Sequence, residues 1–222
     1  IIAGFYARAG IVYLNNGETG SVTFIGTVSP AGGNLKEPVT ESTKKAARCF
    51  YALSQNRADS KRYPAIDTLD SYSKYLEYPE FISFAKEKLD ENWVELVNEA
   101  RNILVRGKET EEQINILGDD SVPIDYHVTL WKSEFVDFVI LQQDAFDKID
   151  ATTSLERQEF MLKKVIGVTR SEFRFENFEE VAIYFKRLIN AFRQMNYTIF
   201  KSEEFKKAEE EANMVLEERL IK

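Results

Sequence analysis

Few residues of this chain have the types and spacing that phosphate chemistry requires. Phosphoryl transfer needs backbone amides and a Lys around the phosphates, a Mg²⁺ ligand and a residue that orients water. The loop at residues 29–34, Ser-Pro-Ala-Gly-Gly-Asn, has the wrong spacing, and no Lys-Ser/Thr pair follows it. The pattern G-x-x-x-x-G-K-[ST] occurs nowhere in the 222 residues. We therefore predict a turn at 29–34 and no catalytic residue in the chain.

The other reactive side chains are isolated from one another in the sequence. Asp67 and Asp70 have no third carboxylate at a spacing suited to a metal, which favours turn formation and capping. His127 is the single histidine, and we interpret it as a surface or helix-cap residue without a catalytic role. Cys49 is the single cysteine, so we expect a small buried apolar side chain beside Phe50. We predict no metal site.

Composition limits the classes of function further. With 44% hydrophobic and 30% charged residues the chain has an ordinary globular composition, and its net charge of −8 disfavours nucleic-acid binding. Its longest apolar runs are far shorter than the roughly 20 residues of a membrane-spanning helix. The single cysteine and the lack of a signal-like start favour a cytoplasmic protein. Because the chain starts without Met, within a segment whose residue pattern is typical of packed structure, we interpret it as a fragment.

The two parts of the chain differ in their residue patterns. Residues 1–75 are rich in Gly, Pro, Ser and Thr and contain a strand-like run at 20–28. A helix is predicted near Thr40, capped by Thr40 or Ser42, with an apolar face made by Ala46, Ala47, Phe50 and Leu53. Residues 76–222 show helical periodicity throughout. We predict an α/β remnant followed by an all-helical domain.

Three apolar runs and one charged helix make up the helical part. The runs are Leu89, Trp93, Leu96, Val97, Ala100, Ile103 and Leu104; Val128, Trp131, Phe135, Phe138 and Val139; and Phe178, Val181, Phe185, Leu188, Phe192 and Met195. Helices at about 84–107 and 124–143 enclose a turn at 117–123. The last helix, 202–218, is predicted to be a solvated outer helix with a thin apolar stripe.

Four short motifs occur in one consistent order. Phe-Tyr-Ala-Arg-Ala-Gly at 5–10 is followed by a Gly-Ser-Val-Thr…Glu-Pro-Val-Thr region at 20–40. The third motif begins at Pro64 and continues with a small residue, an aliphatic residue and an aspartate, which are Ala65, Ile66 and Asp67. It ends with a Ser-x-Ser pattern at Ser71 and Ser73. Leu-Gln-Gln-Asp-Ala-Phe at 141–146 precedes Asp150. Together they resemble the catalytic A subunit of V- and A-type rotary ATPases, with Asn34, Glu41 and Tyr63 as departures.

The resemblance implies both a fold and a ligand. Residues 1–75 would be the C-terminal portion of a RecA-like P-loop nucleotide-binding domain whose P-loop is absent here, and 76–222 a C-terminal helical bundle. Tyr63 and Phe146 would sandwich the adenine ring of ATP or ADP, since an aromatic face stacks on any purine. Pro64 would restrict the backbone of Tyr63. Without the family motifs, each ring would be interpreted as a core residue.

The same resemblance implies a mechanical role for the helix pair around residues 117–123. In the family this helix-turn-helix pushes on the central rotor shaft as nucleotide binding closes the subunit. Asp119 and Asp120 would then present negative charge to a basic rotor surface. On composition alone, a solvated acidic loop is the simpler interpretation.

The resemblance further implies an assembly. The intact subunit would bind and hydrolyse or synthesise ATP with Mg²⁺, coupled to H⁺ or Na⁺ transport, within an alternating A3B3 hexamer. Its partners would be non-catalytic B subunits, the central stalk and the peripheral stalk, in a cytoplasmic sector peripheral to the membrane. The fragment alone would be inactive and hold no nucleotide tightly. Two alternatives stay open: a diverged non-catalytic nucleotide-binding or structural subunit, and a helical scaffold without a nucleotide site.

Overall fold

The computed structural model describes residues 2–221 and shows a small mixed region followed by helices. The elements are α1 Ile2–Tyr6, β1 Gly10–Tyr13, β2 Thr19–Val22, α2 Pro38–Ala46, β3 Cys49–Phe50, α3 Gln55–Asp59, β4 Tyr72–Ser73, α4 Pro79–Lys88, α5 Trp93–Leu117, α6 Ile124–Val136, α7 Leu155–Arg170, α8 Phe178–Asn196 and α9 Glu203–Glu217. Strands β1 and β2 pair antiparallel with Gly10 opposite Val22, and β3 and β4 pair with Cys49 opposite Ser73. The predicted α/β remnant followed by a helical bundle is confirmed.

The strand predicted over 20–28 is shorter than its sequence suggests. Strand β2 ends at Val22, and the following Ile25 is 93% exposed. Among the described residues, no strand pairs with 23–28. A β-branched run becomes a strand only where a neighbouring strand satisfies its backbone groups, so propensity alone overestimated this element.

Helix α2 begins earlier than predicted. Its N-cap is Glu37, whose carboxylate accepts a hydrogen bond from the Thr40 backbone N–H at 3.1 Å, so neither Thr40 nor Ser42 caps it. Pro38 occupies the first turn, where its fixed φ and missing N–H cost nothing. The helix ends at Ala46, so the predicted helical face that continued through Phe50 was wrong, and Phe50 lies in β3.

The core lies around α8, where the predicted apolar run is confirmed. Phe185, Leu188, Phe192 and Met195 are fully buried in this helix. They pack with Phe135 of α6 and with residues of α7 and α9. The stripe of α9 is also buried, at Phe205, Ala208 and Ala212, while most of its other face is exposed. Within residues 2–221, no helix has the length and apolarity needed to cross a bilayer.

The helix predicted over about 84–107 is two helices. Helix α4 ends at Lys88, α5 begins at Trp93, and Asp90 accepts the Asn92 backbone N–H at 2.7 Å in the break. Helices α5 and α6 then form a hairpin around residues 118–123, close to the predicted turn. Gly107 of α5 lies against Ser133 of α6, so close that a Cβ on Gly107 would be 2.1 Å from the Ser133 Cβ.

Candidate functional site

The residues of the Pro64–Ser73 motif build a local scaffold. Asp67 Oδ1 accepts the backbone N–H groups of Leu69 at 2.9 Å and Asp70 at 2.8 Å, which is the turn predicted for this aspartate. Ser71 Oγ accepts the Ala52 backbone N–H at 3.0 Å. These polar side chains therefore fold the chain back on itself, and the carboxylate of Asp67 is used in the turn.

The second serine of the motif fixes the short sheet. Ser73 lies opposite Cys49, and the Cys49 thiol donates to Ser73 Oγ at 3.3 Å. Cys49 is half-buried rather than fully buried, because it lies on a two-residue strand with only one neighbouring strand. Its position on this sheet is structural.

The scaffold presents an excursion that carries Tyr63. The excursion, residues 54–65, is closed at its base by the Ser54 backbone N–H, which donates to the Ala65 carbonyl at 2.8 Å. Tyr63 follows α3, its hydroxyl donates to the Ala58 carbonyl at 3.4 Å, and its peptide bond to Pro64 is cis. The Tyr63 residue is 52% exposed, so it is not a core residue.

Two arginines fasten this excursion to the end of α6. Arg57 Nη1 lies 2.9 Å from both carboxylate oxygens of Asp137. Arg62 donates to Asp137 at 2.9 Å and to Glu134 at 3.0 and 2.6 Å, and its guanidinium lies 4.5 Å from the Phe138 ring centre. No short motif in the sequence signals this cluster, because its partners lie about 75 residues apart.

The protonation of Arg62 follows from its surroundings. Burial would lower the pKa of its guanidinium, but hydrogen bonds and charge from Glu134, and then from Asp137, outweigh burial and raise the pKa. The Arg62 guanidinium therefore stays charged throughout the physiological pH range.

A π-helical turn follows α6 and leads into the loop that carries Phe146. Residues Asp137–Leu141 form this turn, and the Gln142 backbone N–H donates to the Asp137 carbonyl at 2.9 Å. The Asn196 side-chain amide of α8 donates to the Val139 carbonyl at 2.9 Å. A π-turn is a local irregularity of a helix that often marks functional sites, and here it immediately precedes the loop that carries Phe146.

The following loop is held by carboxylates and displays Phe146. Asp150 Oδ2 accepts the Asp144 backbone N–H at 2.7 Å, and Asp144 Oδ1 accepts the Phe146 backbone N–H at 2.9 Å. The Gln143 side-chain amide donates to the Asp150 carbonyl at 2.9 Å. Burial raises the pKa of the Asp150 carboxyl despite its hydrogen bond from Asp144. Phe146 is 98% exposed on this ordered loop.

One backbone hydrogen bond joins the two segments. The Gln143 N–H donates to the Tyr63 carbonyl at 2.9 Å, although the two residues are 80 positions apart in sequence. The structure therefore brings together the segments that carry Tyr63 and Phe146, the two rings predicted to bind adenine. Both rings are available to solvent, Tyr63 at 52% and Phe146 at 98% exposure.

A cavity of about 900 Å³ lies between the Pro64–Ser73 region, α5 and α7. Pro64, Gln142 and Gln143 line it, whereas Tyr63 and Phe146 do not. The exposed aromatic pair is therefore a separate surface. In the described part of the chain, no group of three or more His, Cys, Asp or Glu side chains is placed to hold a metal ion.

The turn between α5 and α6 exposes the predicted acidic pair. Gly118 has a φ of 86°, which glycine adopts without strain, and the following single-turn helix contains Asp119 and Asp120, both exposed. His127 lies below them and is buried, so its assignment as a surface residue was wrong. Its ring stacks on Phe178 at 5.0 Å, and Nε2 lies 3.1 Å from the Asp119 carbonyl oxygen. This contact ties the turn to α6.

Comparisons with known proteins match both parts of the chain. Residues 1–73 match the nucleotide-binding domain of the ATP synthase alpha/beta family, and residues 83–180 match the C-terminal domain of V and A type ATP synthase. The V-type ATP synthase alpha chains of Borrelia duttonii and Treponema denticola are 42% and 40% identical to this protein, and each match covers 94% of its 222 residues. The chain belongs to the V/A-type ATP synthase alpha-chain family.

The chain spans about a third of the length of these relatives, covering 34% of the Borrelia duttonii protein and 36% of the Protochlamydia amoebophila alpha chain, which is 37% identical. A solved structure, that of the ATP synthase subunit NeqB from Nanoarcheaum equitans, superposes with a TM-score of 0.57. That likeness covers 77% of this chain and 39% of NeqB at 22% identity, and it supports the fold.

Proposed function

We propose that this chain forms the adenine-binding side of the ATP site of a V/A-type ATP synthase alpha chain. The observation that carries the proposal is the Gln143–Tyr63 hydrogen bond, which places two segments with exposed aromatic rings side by side. Tyr63 and Phe146 would contact opposite faces of the adenine ring. Stacking of this kind contributes about 1–3 kcal/mol per aromatic contact and requires no charged side chain.

The whole subunit would bind and hydrolyse or synthesise ATP, accompanied by Mg²⁺, and couple this to H⁺ or Na⁺ transport. It would act in a cytoplasmic sector peripheral to the membrane, alternating with non-catalytic B subunits and contacting central and peripheral stalks. We place the division between the nucleotide-binding remnant and the helical domain at 1–75 and 76–222. The 222-residue chain alone would be inactive, since it contains no G-x-x-x-x-G-K-[ST] pattern.

The first prediction concerns the aromatic pair in a full-length alpha chain that contains this segment. Tyr63→Ala and Phe146→Ala should each raise the Kd for ATP about 5- to 150-fold, the equivalent of about 1–3 kcal/mol of lost stacking. Inorganic tripolyphosphate, which has no base, should bind with unchanged Kd. Isothermal titration calorimetry with both ligands measures the two effects.

Two controls accompany this experiment. Tyr13→Ala removes another exposed tyrosine, 82% exposed on β1, and should leave the Kd for ATP unchanged. The 222-residue chain alone should bind ATP with millimolar or weaker Kd, and micromolar binding would contradict the proposed division of the site. An ATP affinity unaffected by both aromatic substitutions would favour the scaffold alternative.

The second prediction concerns the turn between α5 and α6, which we propose contacts the rotor. In an assembled complex, the Asp119→Asn/Asp120→Asn double variant should weaken coupling between ATP hydrolysis and rotation, because it removes two exposed negative charges. The contact of His127 with the Asp119 backbone carbonyl does not involve these charges and should be kept. Single-molecule rotation assays measure torque, and calorimetry should show unchanged ATP affinity. Unchanged torque would contradict the rotor contact.

A further inference from the structure

We propose that Asp137 is a positioning residue for both aromatic rings of the candidate adenine site. The proposal rests on the proposed function and adds a residue that does not touch the ligand. Asp137 is 5% exposed and lies where α6 passes into the π-helical turn. It contacts the Tyr63 segment through its side chain and the Phe146 segment through its main chain.

The side chain of Asp137 fixes the excursion that carries Tyr63. Its carboxylate is shared by Arg57 and Arg62, each at 2.9 Å. These arginines stand at the two ends of a short turn, which is closed by the Arg62 backbone N–H donating to the Arg57 carbonyl at 2.8 Å. Tyr63 is the next residue, and its hydroxyl bonds within the same turn, to Ala58. Anchoring the turn therefore anchors the ring.

The main chain of Asp137 fixes the loop that carries Phe146. Its carbonyl accepts the Gln142 backbone N–H at 2.9 Å, which closes the π-turn. The next residue, Gln143, donates its backbone N–H to Tyr63 and its side-chain amide to Asp150. The Asp150 carboxylate and Asp144 then hold the backbone that presents Phe146. A short chain of hydrogen bonds thus leads from Asp137 to each ring.

Asp137 differs in this respect from its neighbour Glu134. Glu134 contacts Arg62 alone of the two arginines and lies one turn earlier in α6, away from the π-turn. Asp137 is the carboxylate that both arginines share, so its negative charge offsets the repulsion between their two guanidinium groups. Neutralising it would leave two mostly buried arginines facing one another and release the turn.

The test uses Asp137→Asn in a full-length alpha chain that contains this segment, with Asp125→Asn, an exposed aspartate in the first turn of the same helix, as the matched control. Asp137→Asn removes the carboxylate and keeps the main-chain carbonyl, so it acts through the Tyr63 turn. It should raise the Kd for ATP on the order of tenfold, part of the loss expected for an aromatic ring. The Kd for inorganic tripolyphosphate should stay unchanged. Asp125→Asn should change neither.

A variant that lacks both aromatic rings distinguishes a positioning role of Asp137 from a general structural role. In the Tyr63→Ala/Phe146→Ala variant, adding Asp137→Asn should not weaken ATP binding further, because no ring is left to position. An equal loss of tripolyphosphate binding, or a further loss in that background, would overturn the inference. If the aromatic variants weaken ATP binding and Asp137→Asn does not, this inference fails while the proposed function stands. If the aromatic variants have no effect, the proposed function itself fails.

Arg62→Gln provides a second variant should Asp137→Asn fail to fold. Its side chain is 27% exposed, so the substitution leaves less buried charge unpaired, yet it removes the same link to the Tyr63 turn. It should raise the Kd for ATP in the same direction with the Kd for tripolyphosphate unchanged. An unchanged Kd for ATP in a folded Arg62→Gln variant would also overturn the inference.

Discussion

Gly107→Ala is expected to lower the free energy of unfolding by about 3 kcal/mol or more. This loss is at or above the upper end of the range found when extra methyl groups are forced into packed protein interiors. The new methyl group would lie 2.1 Å from the Ser133 Cβ and 2.2 Å from its Oγ. Rotation about the Ser133 side chain cannot relieve a clash with its Cβ, because that atom is fixed by the backbone. Helices α5 and α6 would have to separate, which opens the hairpin that carries Asp119 and Asp120.

Chemical denaturation of matched variants checks this result. Gly167→Ala in α7 makes the same change at a position with no atom within 4 Å of the new methyl group. It should be neutral or stabilising by up to about 1 kcal/mol, as expected from helix propensity. The Gly107→Ala/Ser133→Gly double variant should recover much of the loss by exchanging which helix carries the side chain. Equal stability of the two alanine variants would show that the helices are not in close contact there.

Phe192→Ala is expected to cost about 3–5 kcal/mol of unfolding free energy, the usual range for a buried phenylalanine. Phe192 is fully buried in α8, and its ring meets that of Phe135 of α6 edge to face at 4.9 Å. Truncation would remove this contact and leave a cavity at the centre of the helical core. Urea or guanidinium unfolding followed by circular dichroism measures the change.

Phe146→Ala is the matched control for this prediction. It makes the identical change at a ring that is 98% exposed, so unfolding free energy should shift by less than about 0.5 kcal/mol. The pair also tests the simpler interpretation of Phe146 as a core residue. A loss comparable to that of Phe192→Ala would show that Phe146 packs into the protein and would remove it from the candidate site.

The sequence alone determined the features that depend on nearby residues. The apolar spacing of Phe185, Leu188 and Phe192 predicts a buried helical face, because residues three and four apart share one side of a helix. The turn near Gly118 was predictable because Gly and Pro break helices locally. The same holds for the Asp67 turn, whose carboxylate reaches N–H groups two and three residues away. The ordered motifs indicated the family before any contact was known.

The tertiary structure alone decided what depends on distant partners. The run after Val22 has strand propensity but pairs with no described strand, and His127 became buried because Phe178 stacks on it. The contacts of Asp137 with Arg57 and Arg62, and of Gln143 with Tyr63, join segments about 75 to 80 residues apart. Local pattern carries no information on such pairs, because their free energy depends on distance and burial in the folded chain.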